Sequence, residues 1–114
     1  MSDPDCLFCK IVAGDVPADV VSETEHTVAF RDINPQAPTH VLVIPRVHEP
    51  DAASLAASHP DVAAALLVET RAVAQSLGHD AYRLVFNTGA EVGQTVFHAH
   101  GHVLAGRDLG WPPG

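Results

Sequence analysis

The chain predicts an α+β fold: an antiparallel sheet of about five strands, with one main helix and a short N-terminal helix. Three observations predict it. Five short runs rich in Val, Ile, Phe and Thr are set off by turn residues. One longer stretch, between Pro60 and Gly78, repeats its apolar residues near the helical period. The order of elements, three strand runs, a helical stretch and two more strand runs, is that of an α+β chain.

Each element has its own local reason. Cys6-Leu-Phe-Cys-Lys-Ile-Val-Ala13 is a short apolar helix or turn, stopped by Gly14 and Asp15. Val20–Glu23 and Thr27–Arg31 are β-rich runs with polar residues between them, which predicts a hairpin. Asp32 to Pro38 holds two prolines and Asn34, so it is a loop. His40–Pro45 is a continuous apolar run closed by proline, which predicts a strand covered on both faces. Asp51–Ser58 is Ala-rich and helical, and His59-Pro60 interrupts it. Pro60 suits the first turn of the main helix and Gly78 its end. Val62, Leu66, Val73 and Leu77 form its apolar side, with Ala65 and Ala72 beside them, and Glu69 and Arg71 break that surface. Tyr82–Asn87 is a strand, 88–93 a loop, and Phe97–Leu104 the last strand. Trp111-Pro-Pro-Gly114 is an irregular tail.

The chain of 114 residues is long enough for one domain, 1–114, with a core that needs no disulfides. Six Lys and Arg against fourteen Asp and Glu leave a net charge of −8. That balance excludes a broad nucleic-acid platform, which neutralises phosphates with cations. No apolar run reaches the ~18 residues of a membrane span. The start, Met1-Ser2-Asp3-Pro4-Asp5, lacks the basic and apolar regions of a signal peptide. A cytoplasmic protein is expected. The oddity is histidine: eight of them outnumber all Lys and Arg.

Three of the eight stand in His98-Ala-His100-Gly-His102-Val-Leu104. Side chains alternate along a strand, so the three imidazoles are expected on one face. Ala99 and Gly101 between them would let the opposite face press closely on other backbone. Three imidazoles in a row are costly to bury without partners. A solvent-facing row of neutral histidines is the plain alternative. An expression tag is not, because a tag is consecutive and terminal. Two functional readings follow. One imidazole attacks phosphorus while the others bind and polarise its oxygens. Alternatively, H-x-H is a bidentate metal site completed by His40 or Asp32.

Cys6-Leu-Phe-Cys9 is a C-x-x-C pair, half of a zinc site. Cytosolic thiols stay reduced, so a structural disulfide is not expected. Thioredoxin-like redox use would need a βαβ context, which is missing. Two buried free thiols are the alternative to a metal.

The ladder resembles the signature of the histidine triad (HIT) superfamily of nucleotide hydrolases and transferases. The likeness runs along nearly the whole chain, through Phe8-Cys-Lys-Ile-Val, Gly14-Asp-Val-Pro-Ala18, Phe30 to Pro45, Tyr82 to Gly89 and Gly93-Gln-Thr-Val-Phe-His98. The ending Trp111-Pro-Pro-Gly114 resembles the HINT branch, the histidine triad nucleotide-binding proteins, here of the bacterial type with C-x-x-C. The third histidine separates the chain from the nucleotidyl-transferase branch, which has Gln there.

The resemblance implies a HIT-like fold, a homodimer, and hydrolysis of a purine nucleoside phosphoramidate or acyl-nucleotide to the 5′-monophosphate. It makes His100 the nucleophile that forms a covalent nucleotidyl-histidine. His102 and His40 would contact the phosphate, and Thr95 the leaving group where the branch commonly has Ser. It places Asp32 on the ribose hydroxyls, Asn87 at the phosphate, and backbone of Gly93, Gln94 and Val96 near it. Phe30, Ile33 and Leu42 would wall the base pocket. Trp111 would approach the site across the dimer, whose interface uses the Pro60–Gly78 helix and the Tyr82 strand. A structural zinc would be held by Cys6, Cys9, His48 and His98, with no cofactor required for chemistry. Two rivals use the same pocket: a dinucleoside polyphosphate hydrolase and a non-catalytic nucleotide-binding regulator. His26, His59 and His79 are expected to be ordinary solvated residues.

Overall fold

The hairpin that opens the sheet forms as Val20–Glu23 (β1) and Thr27–Arg31 (β2). Thr24 turns it, its hydroxyl accepting from the N–H groups of His26 and Thr27. The computed structural model describes residues 3–114. Thr39–Pro45 (β3) lies beside β2, Arg83–Val85 is β4, and Gly101–Ala105 is β5. All pairings are antiparallel, in the order β1-β2-β3-β5-β4.

All seven residues of β3 are buried, because it is central and covered on both sides. Alternation sorts the side chains. Ala29, Val41, Val43 and Val103 pack against Leu55 of α2 (Ala52–Ser58) and against Val62, Leu66, Val73 and Ala74 of α3 (Pro60–Ser76). Val28, Phe30, Leu42 and Ile44 face the other way, against Phe8 and Cys9 of α1 (Leu7–Ala13) and its cap Cys6. Helices thus cover one face of the sheet, and α1 covers part of the other. No helix among the described residues is long and apolar enough to cross a membrane.

The helix boundaries follow their caps. Cys6 caps α1, and Gly14 ends it at φ 82°, a left-handed conformation suited to glycine. The Asp51 carboxylate accepts from the Ser54 N–H at 2.8 Å and starts α2. Pro60 occupies the first turn of α3. Leu77 is only partly buried and Ala72 is exposed, while Thr70, which the apolar pattern passed over, is fully buried. Thr70 tolerates the core because its hydroxyl donates to the Leu67 carbonyl at 2.6 Å.

Two strands are shorter than the sequence predicts. The last one begins at Gly101 and not at Phe97, and β4 stops at Val85 and not at Asn87. The ladder ends where its partner does. Val43 is the last β3 residue paired with β5, and Pro45 has no N–H to donate. The Ala99 N–H goes instead to the Glu49 carbonyl at 2.7 Å, and the Pro45 carbonyl is taken by the His98 ring. The three histidines therefore do not share one regular strand face. The close approach expected opposite Gly101 is real, but the neighbours are side chains: a Cβ there would lie 2.9 Å from Leu84 Cδ1 and 3.0 Å from Phe86 Cζ.

Gly101→Ala should therefore destabilise the fold by about 1–3 kcal/mol through overpacking. Urea unfolding should show a lower midpoint with an unchanged slope. A midpoint equal to the wild type would mean that Leu84 and Phe86 yield freely.

Candidate active site

The sheet face opposite α2 and α3 carries a cavity of about 360 Å³. Its walls include Phe30, Asp32, Ile33, Leu42, His100 and His102, with Thr95 and Val96 at one side. The β3–β5 register explains the gathering. Leu42 stands opposite His102 and His40 opposite Leu104, so His40 and His102 are diagonal neighbours on one face. Their rings lie 5.2 Å apart, and those of His100 and His102 lie 5.0 Å apart.

Hydrogen bonds to backbone fix which nitrogen carries each proton. A carbonyl only accepts, so His100 Nδ1–H donates to the His98 carbonyl at 2.7 Å. That leaves the lone pair on His100 Nε2. An N–H only donates, so the Gln36 N–H at 3.0 Å makes His40 Nδ1 an acceptor. His40 Nε2 then carries the proton. It donates to His102 Nδ1 at 2.9 Å, with Asp32 Oδ2 at 3.4 Å from the same nitrogen. His102 Nε2 is left as an N–H donor. One unprotonated nitrogen and one N–H donor thus occupy neighbouring rings in the cavity.

Burial keeps these rings neutral. It lowers the pKa of His40 and His100, against opposing pulls from the Asp32 carboxylate on both and from the His98 carbonyl on His100. His102 is lowered to about 4, first by burial and then by His100 and His40. Phe8 sets its edge against the His100 ring at a centroid distance of 5.0 Å. Sequence reasoning assigned Phe8 no role at the site; only the docking of α1 reveals it.

His98 turns away from this group. Its Nε2–H donates to the Pro45 carbonyl at 2.8 Å, which leaves Nδ1 unprotonated. That Nδ1 lies 3.5 Å from Cys6 Sγ, 3.5 Å from Cys9 Sγ and 3.3 Å from His48 Nδ1, while Cys9 Sγ is 3.2 Å from His48 Nδ1. All four donor atoms lie within 4.8 Å of one another. Tetrahedral zinc with bonds of ~2.3 Å to sulfur and ~2.0–2.1 Å to nitrogen requires ligand separations of about 3.3–3.8 Å. The donor set and its spacing fit such an ion. Both cysteines are free thiols, and burial pushes the Cys9 thiol up. Asp32, His40 and His102 also lie together as possible donors. Their imidazoles meet at 2.9 Å, shorter than the ~3.3 Å between nitrogens on one zinc and suited to a hydrogen bond.

Other predicted residues take different places. Gly93 ends a short 3₁₀ turn, Ala90–Val92, and its N–H bonds the Ala90 carbonyl. Gln94 is buried and spans its loop. Its N–H reaches the Gly89 carbonyl, its Oε1 accepts from the Gly89 N–H, and its Nε2 donates to the Pro50 and Val96 carbonyls. The N–H groups of Gly93 and Gln94 are thereby committed to the loop, which leaves Thr95 and Val96 to line the cavity. Asn87 lies two residues past Val85, the partner of His102, and does not line the cavity. Ile33 lines it but is fully exposed. Trp111 is 83% exposed and outside its own chain's cavity, so its expected role needs a second copy. His26, His59 and His79 are half-buried rather than fully solvated. His59 lies 3.4 Å from Glu49, and His79 Nε2 is 2.9 Å from the Thr39 hydroxyl.

This site sits in a chain with close relatives. The HIT domain family model matches residues 13–109. A 14 kDa zinc-binding protein of Zea mays is 43% identical, over 100% of this chain and 91% of that one. The purine nucleoside phosphoramidase of Escherichia coli strain K12 is 40% identical, over 91% of this chain and 89% of that one. Among solved structures, a HIT family hydrolase of Legionella pneumophila aligns with a TM-score of 0.92 at 46% identity, covering 96% of this chain and all of that one.

The depressed pKa of His102 makes stability depend on pH. Unfolded, the ring binds its proton near 6.5, and folded only near 4. The unfolded chain therefore holds more protons between those values, and stability falls as pH drops from about 6.5 to 4. His102→Gln should flatten part of that slope. Urea midpoints at pH 7.5, 6 and 4.5 check this, and equal slopes in the two proteins would contradict it.

Proposed function

The chain belongs to the HIT domain family, and on that premise we propose that it hydrolyses purine nucleoside phosphoramidates or acyl-nucleotides to the nucleoside 5′-monophosphate. One observation carries this reading: the unprotonated His100 Nε2 beside the His102 Nε2–H, in a cavity with an apolar wall.

His100 Nε2 attacks the α-phosphorus, and the P–Nε2 bond forms as the bond to the leaving group breaks. The departing amine takes a proton from water, with the exposed Thr95 hydroxyl beside it. The nucleotidyl-imidazole is cationic, and its Nδ1–H donates more strongly to the His98 carbonyl. The His102 Nε2–H bonds a non-bridging phosphate oxygen, where charge develops. His40 orients His102 in turn. Water then attacks phosphorus, the P–Nε2 bond breaks with its electron pair returning to Nε2, the proton of the attacking water passes to solvent, and His100 is neutral again. Asp32 accepts from the ribose hydroxyls, and Phe30, Ile33, Leu42 and Val96 hold the purine.

Cys6, Cys9, His48 and His98 hold a structural zinc, supported by their spacing and by the zinc-binding maize relative. It supplies no reaction step; these four residues tie α1 to the segment before β5. The protein acts in the cytoplasm as a homodimer of single HIT domains spanning 1–114. Exposed Leu67 and Val68 on α3 and the free edge of β4 support that pairing, which would bring Trp111 to the partner's site.

Turnover of adenosine 5′-phosphoramidate should exceed that of a diadenosine polyphosphate, and His100→Asn should reduce it roughly 10³-fold or more. Wild type and His100→Asn equally slow on both substrates would leave a nucleotide binder; faster cleavage of the polyphosphate would assign the other hydrolase class.

Elemental analysis should find about one zinc per chain by the capacity of one closed four-ligand site, and Cys6→Ser should lower both zinc content and melting temperature. Metal-free protein whose stability is unchanged by Cys6→Ser would leave two inert thiols.

A further inference from the structure

His98 is shared by the two centres. Its ring joins Cys6, Cys9 and His48, while its backbone carbonyl holds the His100 Nδ1–H at 2.7 Å. Its Nε2–H is anchored on Pro45, and the next residue, Ala99, is anchored through its N–H on Glu49. With ring and following amide both pinned, the carbonyl between them has one direction open to it. A second link runs through α1. Phe8 lies between the two cysteines in sequence, and its ring meets both His98, at 6.0 Å, and His100, at 5.0 Å. Whatever holds Cys6 and Cys9 in place also holds Phe8 against the His100 ring.

We propose that the Cys6–Cys9–His48–His98 cluster is a positioning device for His100. By fixing the His98 carbonyl and the seat of Phe8, it selects the Nδ1–H tautomer and keeps Nε2 turned to the cavity. The four residues act through His100 and do not touch the substrate. Loosening the cluster removes the restraint on His98 Nδ1 and the seat of Phe8, leaving the Pro45 and Glu49 bonds to anchor the carbonyl, and so lets the imidazole flip or exchange tautomers more readily. Substrate binding is affected less than chemistry: Asp32 stands on the loop after β2, away from the cluster, while Phe30 shares only its contact with Phe8, at 5.5 Å. This proposal rests on the hydrolase reading for its kinetic consequence, but its structural content concerns His100 alone.

The test compares wild type and His48→Cys, which keeps a ligand, with Cys9→Ser, each purified with zinc and after chelation. The first readout is the His100 ring tautomer, from long-range nitrogen–proton NMR spectra. Zinc-loaded wild type and zinc-loaded His48→Cys should show Nδ1–H alone. Chelated protein and Cys9→Ser should show both tautomers. The second readout is kinetic: kcat should fall about 10- to 100-fold, as for residues that orient a reacting group from behind, with a much smaller rise in KM, since the cluster reaches the binding walls only through Phe8. If metal-free chains do not fold, cadmium-loaded wild type replaces them. Its larger ion should shift the His100 nitrogen resonances and lower kcat relative to zinc. A single Nδ1–H tautomer and unchanged kcat in folded metal-free protein, or identical spectra with zinc and cadmium, would overturn the proposal. Absence of turnover in every form, with tautomers responding as described, would instead refute the hydrolase reading and leave the positioning role standing.

Discussion

The antiparallel pairing of β3 with β5 is the interaction on which the rest of the structure depends. It buries β3 on both faces, giving Val41 and Val43 to the helices and His40, Leu42 and Ile44 to the opposite side. Its register sets His40 diagonally across from His102. Its end matters as much as its extent. Because pairing stops at Val43 and Gly101, the residues before β5 leave the ladder and their polar groups find other partners. His98 swings toward the cysteines, and its carbonyl becomes free to accept from His100.

The proposed phosphate site is electrostatically unusual. The chain carries a net charge of −8, and Arg31, the one Lys or Arg lining the cavity, lies 3.7 Å from the Asp19 carboxylate. The imidazoles are neutral because burial disfavours their charged forms. Attraction for an anion therefore comes from a short-range N–H donor, supported by the relay from the Gln36 N–H through His40 to His102. Such a relay costs little reorganisation, since the Gln36 N–H at its head cannot change role and sets the proton on His40 and, through it, on His102. The net charge acts at longer range, where salt screens it within about 8–10 Å.

Much of this was legible in the sequence. The hairpin, the covered central strand, the break at His59-Pro60 and the capped helix all rest on local chemistry, and all are present. The gathering of Cys6, Cys9, His48 and His98 was legible only through the likeness to a family, since spacing alone exposes the C-x-x-C half. Thr70 was missed because apolar periodicity gives no signal for a hydroxyl satisfied by its own helix. The Gln94 side chain left no sign of its part either: an amide that bonds its own loop looks like any other polar residue in one dimension. Phe8 left no sign of its contact with His100, because that contact joins residues 100 − 8 = 92 positions apart in the chain.

The sequence by itself determined which residue types are available and how the chain is locally shaped. Three histidines at alternate positions, a C-x-x-C near the start, and strand and helix periods follow from neighbours a few residues apart. Only the tertiary structure decided the division of labour among the histidines. Where a strand loses its partner depends on the length of another strand, and which nitrogen carries a proton depends on a carbonyl or N–H elsewhere in the fold. His98 belongs with sulfur and His100 with the cavity because the β3–β5 ladder stops between Gly101 and the triad's first two members. Long-range pairing sets that end point, and it has no local signature.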